Sequence, residues 1–195
     1  MTEIRTHVST AAFRSCDGVV LNYNRQKIEG LGDQLCQYLI FVKGWLEANK
    51  ELEQYQHPDL LMNAGFTKIY ALLVEDFIIY DGRVGAALGL LVRRFCEDKR
   101  LESVPAELKF AWGQGKATAT GGGANRRNPS SEKYIFPMFT GNLKRHLESN
   151  LMANWLLDEM VRRTGSKFNQ LEENRQLWAL QSALFMIGYD VSSHD

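Results

Sequence analysis

Lys68 and Asp81, thirteen positions apart, carry the side chains of this sequence best suited to covalent chemistry. The segment from Asn63 to Leu73 reads as a tight turn entering a helix, with Gly65 in the turn and Thr67 as the cap. That reading puts Lys68 in the first helical turn. A cation there faces the positive end of the helix dipole, which favours the neutral amine, the form that attacks an electrophile. The competing reading is a surface lysine whose stem covers apolar area. Asp81, in Ile79-Tyr80-Asp81-Gly82-Arg83-Val84, precedes a second helix and is placed to be its N-cap, so capping competes with chemistry as its explanation. Gly82, Gly85 and Gly89 follow it, although glycine in a helix interior costs about 1 kcal/mol relative to alanine. They imply close approach of another helix, or of ligand backbone, to that face.

Other chemistries are less well supplied. Cys16, Cys36 and Cys96 form no C-x-x-C pair, which leaves zinc ribbons, dithiol redox chemistry and cysteine-held iron–sulfur clusters without support. Buried structural cysteine is the expectation, because free cysteine is among the most buried residue types. His7, His57, His146 and His194 are scattered singly, so neither a metal nor another cofactor is expected.

The elements that must position Lys68 and Asp81 are helical. Ile28, Leu31, Leu35, Leu39, Val42 and Leu46 step by three and four along one face of a long amphipathic helix. Val84, Leu88, Leu91 and Phe95 mark a second inward face, and a third helix is predicted from about Leu143 to Thr164, with Gly165 to end it. The last helix is predicted to start near Asn169, where Asn169 and Glu172 resemble a capping box. It should carry Leu177, Leu180, Leu184 and Ile187 inward and stop at Gly188. Val19–Tyr23 and Phe77–Tyr80 are β-prone but too few for an independent sheet. The prediction is one all-α domain over 1–195, with an irregular segment 1–27, a helical core 28–190, and a long Gly-rich loop from Trp112 to Pro137.

With 45% hydrophobic and 24% charged residues the composition is globular, which excludes disordered and collagen-like classes. No apolar run reaches the roughly 18 residues of a membrane span, and MTEIRTHVST has no apolar signal-peptide core. A cytoplasmic protein without a membrane partner is expected. The formal net charge is zero, which seen alone speaks against a nucleic-acid partner. Resolved along the chain the balance changes. From Lys109 to Arg145, seven basic residues face the single acid Glu132, a local net charge of +6. Such polarity suits either a polyanion held on one face or a solvated basic loop.

Taken together, Gly65-Phe66-Thr67-Lys68-Ile69-Tyr70-Ala71 and Ile78-Ile79-Tyr80-Asp81-Gly82-Arg83-Val84 resemble the helix-hairpin-helix DNA glycosylases, most closely the small bacterial members of the 8-oxoguanine glycosylase branch. The resemblance runs more loosely through Arg126-Arg127-Asn128-Pro129 to the last helix. It implies a helix-hairpin-helix glycosylase fold, DNA as the partner, no cofactor, a monomer, Lys68 as a Schiff-base lysine and Asp81 as the catalytic aspartate. It further implies DNA contacts from Gly65, Thr67, Arg83, Lys116, Arg126, Arg127, Asn128 and Lys133. A flipped base would be lined by Phe66, Tyr80, Trp112, Phe136 and Trp155. For each of these aromatics core packing is the competing role. Asn63 and Ala64 stand where the family has its first hairpin glycine, and 195 residues leave no room for the β-rich domain of the larger enzymes. The implied substrate is therefore 8-oxoguanine or, for antiviral defence, a hypermodified phage base. The alternative is a non-catalytic helical DNA-binding or protein-interaction module that keeps the fold.

Overall fold

The computed structural model describes residues 18–48, 59–115, 126–163, 165 and 167–192. The chain divides into two compact units, Met1–Ile79 and Tyr80–Asp195. Both are helical, and among the described residues β-structure is confined to one isolated bridge, Trp112 with Met138. No helix among them is long and apolar enough to cross a membrane.

In the first unit, helix α1 spans Gly18–Leu31 and helix α2 spans Leu35–Glu47. The sequence predicts one helix here; the structure breaks it at a 3-10 turn over Gly32–Gln34. Gly32 adopts φ +49°, the left-handed conformation that ends a helix and that glycine enters without a Cβ clash. Leu35, Leu39, Val42 and Leu46 are buried as the spacing requires, joined by Trp45. Val19–Tyr23, read as β-prone, belongs to α1, which therefore begins ahead of the predicted core boundary at residue 28. Propensity yields here to tertiary anchoring, because the fully buried Asn24 of α1 exchanges side-chain amide hydrogen bonds with Asn63, at 2.7 and 3.3 Å. Helix α3 then covers Ala64–Tyr70. Tyr38 and Tyr70 share a hydroxyl–hydroxyl hydrogen bond of 2.9 Å and bracket Leu61, whose N–H donates to Tyr38 and whose carbonyl accepts from Tyr70. Burial pushes both phenols above their ordinary range. Phe77 and Ile78 are buried in a segment that belongs to no helix or strand among the described residues.

In the second unit, helix α4 spans Gly82–Asp98, α5 spans Leu143–Arg163 and α6 spans Glu173–Ile187, and α6 packs on both α4 and α5. The predicted inward face of α4 is corrected in its second half. Leu91 and Phe95 are 40% and 47% exposed, whereas Leu90, Val92 and Cys96 are buried. The helix turns its small residues inward, Gly85, Ala86, Ala87 and Gly89, so that backbone can pack on them. The start of α6 is also corrected. Residues Lys167–Gln170 form a 3-10 turn, and the Asn169 amide donates to the Val161 carbonyl of α5 at 2.8 Å instead of capping α6. Of the cysteines, Cys96 is buried and Cys36 half-buried, while Cys16 lies outside the described residues.

Candidate functional site

Lys68 lies in the last turn of α3, a seven-residue helix whose cap is Asn63 rather than Thr67. The Asn63 side chain accepts from the N–H groups of Gly65 and Phe66, at 2.8 and 3.2 Å. Gly65 is thus already helical, and its amide is committed to the cap, so it offers no phosphate grip. Thr67 is buried, with its hydroxyl donating to the Ala64 carbonyl at 3.2 Å, so it too is withdrawn from any DNA contact. Moving the cap four residues back moves Lys68 to the C-terminal end of the helix, where the dipole stabilises a cation. Lys68 therefore does not sit at the positive end of the dipole, where the sequence predicts it.

Asp81 is the N-cap of α4, as its position before the glycines implies. Its Oδ1 accepts from the N–H groups of Arg83 and Val84, at 2.8 and 3.1 Å. Both bonds fall on one oxygen, and among the described residues Oδ2 carries none. The carboxylate is therefore oriented by one oxygen, while the other makes no hydrogen bond among the described residues.

What fixes that orientation is the enclosure of α4. A Cβ at Gly82 would lie 2.7 Å from Gly113 Cα, one at Gly85 1.9 Å from the Ala111 carbonyl oxygen, and one at Gly89 2.5 Å from the Pro129 ring. The close approach predicted from these glycines is real, and the approaching groups are loop segments of the same chain, not a helix or a ligand. Residues 111–113 are themselves tied down, since Trp112 donates to the Pro137 carbonyl at 3.0 Å and Phe139 to the Trp112 carbonyl at 2.8 Å. From the other side comes Gly188, where a Cβ would sit 1.8 Å from the Arg83 carbonyl oxygen. Its φ is −75°, so this glycine is required by space rather than by backbone conformation.

Beneath Asp81, the Tyr80 hydroxyl donates to the Ala111 carbonyl at 2.8 Å, and burial raises the phenol well beyond its ordinary range. The His146 ring stacks on Phe139 at 4.5 Å and lies 3.1 Å from the Tyr80 carbonyl through Nε2. Burial lowers His146 to about 4, which keeps the ring neutral.

The second unit gathers three arginines, one of them at the start of α4. The Arg83 guanidinium lies 4.3 Å from the Phe185 ring and 5.1 Å from the Tyr189 ring, and the Arg126 guanidinium lies 4.4 Å from the same Tyr189 ring. Arg127 donates to the Gln114 carbonyl at 3.2 Å. Burial and then the Arg83 charge push Arg127 below its ordinary value, with Asp81 acting in the opposite sense. Phe185 and Tyr189 escaped the sequence reading, for an aromatic near the end of an amphipathic helix carries no signal of a cation partner.

The remaining residues singled out in the sequence are dispersed. Phe66 is core of the first unit, tilted against Tyr70. Tyr80, Trp112 and Phe136 are core of the second, Trp112 donating its indole N–H to the Phe136 carbonyl at 3.3 Å. Trp155 is 42% exposed on α5. Asn128 turns its side chain back to accept from the Ser130 N–H at 3.0 Å, and Lys133 lies 5.4 Å from the Tyr134 ring. Lys116 lies outside the described residues. No group of three metal-binding side chains is found among the described residues. The chain matches no protein-family model, and no curated protein or solved structure is significantly similar to it.

Proposed function

We propose that this chain is a DNA glycosylase of the helix-hairpin-helix type, excising a damaged or modified base with Asp81 as the essential carboxylate. The observation that carries the reading is the Asp81 side chain itself, oriented through Oδ1 at the enclosed start of α4 with Oδ2 uncommitted. Cleavage of a base–sugar bond develops positive charge at C1′ of the deoxyribose. A carboxylate held beside that carbon stabilises the charge, and one that need not reorganise does so most effectively. Lys68 enters through the sequence resemblance alone. In that role its neutral amine attacks C1′, and the C1′–N bond breaks with its electron pair leaving on the base, which takes up the proton the amine loses. Breaking of the C1′–O4′ bond, with O4′ protonated from water, gives the imine that permits strand cleavage by β-elimination. Base release is measured with oligonucleotides containing 8-oxoguanine and, in parallel, with glucosylated or otherwise hypermodified phage DNA. Activity on 8-oxoguanine alone removes the defence role. Borohydride trapping of an enzyme–DNA adduct, lost in Lys68→Ala, identifies the nucleophile. Base release without trapping assigns that role to water.

The second reading is a non-catalytic DNA-binding or protein-interaction module. It is favoured by the commitment of the Gly65 amide and the Thr67 hydroxyl within α3, and by the place of Lys68 in its last turn. It predicts that no abasic sites form and that Asp81→Asn leaves biological activity intact.

A further inference from the structure

We propose that Arg83, Arg126 and Arg127 form one cradle for a phosphate group, shelved on the rings of Tyr189 and Phe185 and placed at the start of α4. Two guanidiniums meet a single ring, Arg83 at 5.1 Å and Arg126 at 4.4 Å from the Tyr189 centre, so their carbons are within about 9.5 Å of each other. Arg127 is near enough to both for their charges to act on it. Like charges do not gather without a counter-charge, and the protein supplies little. Asp81 is the acid that acts on Arg127, and its Oδ1 is occupied with the cap. The sequence holds no acid between Glu107 and Glu132, a stretch that includes residues 116–125 preceding the pair.

The donors are also incomplete. The Nε atoms of Arg126 and Arg127 are buried from solvent and have no hydrogen-bond partner among the described residues. A phosphate brings several acceptor oxygens and negative charge together, in the geometry that a guanidinium matches through its Nη groups. The cradle is positioned by the end of the chain's last helix. The Val191 N–H donates to the Arg126 carbonyl at 2.8 Å, and Gly188 packs on the Arg83 carbonyl. Tyr189 is accordingly a positioning residue for two arginines at once.

The proposal rests on the DNA reading only for the source of the phosphate, taken to be a phosphodiester of duplex DNA. Free phosphate is the other source of the same chemistry. Affinity of the full chain for an undamaged labelled duplex is measured against salt concentration, beside the thermal stability of the wild type and its variants in inorganic phosphate and in chloride at equal ionic strength. Arg126→Gln and Arg127→Gln should each weaken duplex binding about tenfold and lower the salt slope by about one. Tyr189→Leu should weaken it less, and Lys99→Gln, a charge-matched change at the exposed far end of α4 beside Asp98, should leave it unchanged. Phosphate should raise the melting temperature over that in chloride by more in the wild type than in either arginine variant, a difference that removes the general stabilisation phosphate gives to folded proteins. A phosphate-induced rise in melting temperature that is no larger for the wild type than for the two arginine variants overturns the cradle. Stabilisation by phosphate without any arginine-dependent duplex binding overturns the phosphodiester source. Base release decides the other reading separately. Loss of duplex binding in the variants with no base release by the wild type leaves the cradle standing and removes the glycosylase. Base release by a wild type whose stabilisation by phosphate does not depend on the arginines does the reverse.

Discussion

The helix that carries Lys68 is seven residues long and held at its start by side-chain amides, whereas the helix that Asp81 caps is seventeen residues long and held by backbone packed against its glycines. In α3 the polar groups that resemble a phosphate-gripping hairpin are turned inward, to Asn63 and Ala64. In α4 the cap, the glycines and the surrounding arginines leave one carboxylate oxygen and two guanidinium nitrogens without partners among the described residues. Groups satisfied within the chain suit a scaffold, and groups left open at a rigid position suit a candidate site. In the proposed reading the second region therefore carries the site, although the sequence marks both with equal clarity.

Perturbing the glycine contacts should have the largest effect on stability. Gly188→Ala places a methyl group against the Arg83 carbonyl, and Gly85→Ala does the same against Ala111. Each should lower unfolding free energy by about 3 kcal/mol, read from denaturant midpoints. A loss below about 0.5 kcal/mol would mean that α4 is less tightly enclosed than described.

His146 provides a pH test of the same region. Its value in the folded protein, about 4, lies below the ordinary 6.5, so the unfolded chain takes up this proton first. Its contribution is complete above pH 6.5 and lost as pH falls toward 4, about 2 kcal/mol having gone by pH 5. His146→Phe should remove that part of the acid sensitivity, and an unchanged slope between pH 7 and 5 would place the ring in a wetter environment. Around α3 the effects should be smaller. Asn63→Ala removes the cap at about 1 kcal/mol and leaves the buried Asn24 amide without its exchange partner. Smallest of all, Lys68→Ala should change stability by about 0.5 kcal/mol or less, the size expected of a side chain away from the core.

The helical class, the extent of α5, the end of α6 and the capping role of Asp81 were legible in the sequence, because each follows from local periodicity or a local hydrogen bond. The break between α1 and α2 was not, since the apolar spacing runs unbroken across Gly32 while its backbone conformation ends the helix. The cap of α3 was misplaced because Asn63 and Thr67 are both good capping types, and the choice was made by Asn24, thirty-nine residues away. The glycines of α4 signalled close approach without saying by what, because packing partners such as Ala111 and Pro129 are set by the fold. The arginines were visible as charge. Their shelf of Phe185 and Tyr189 was not, for a cation–ring contact depends on where α6 ends against α4.

The central claim is that Asp81 does chemistry as well as capping, and Asp81→Asn separates the two. An asparagine carbonyl oxygen still accepts the Arg83 and Val84 N–H bonds, so the helix start and the melting temperature should be retained. Its neutral amide cannot stabilise a developing cation. In single-turnover base release from the DNA substrate, the folded Asp81→Asn variant should be slower than the wild type by at least about 10²-fold. Base release at the wild-type rate would contradict the account and leave Asp81 as a helix cap.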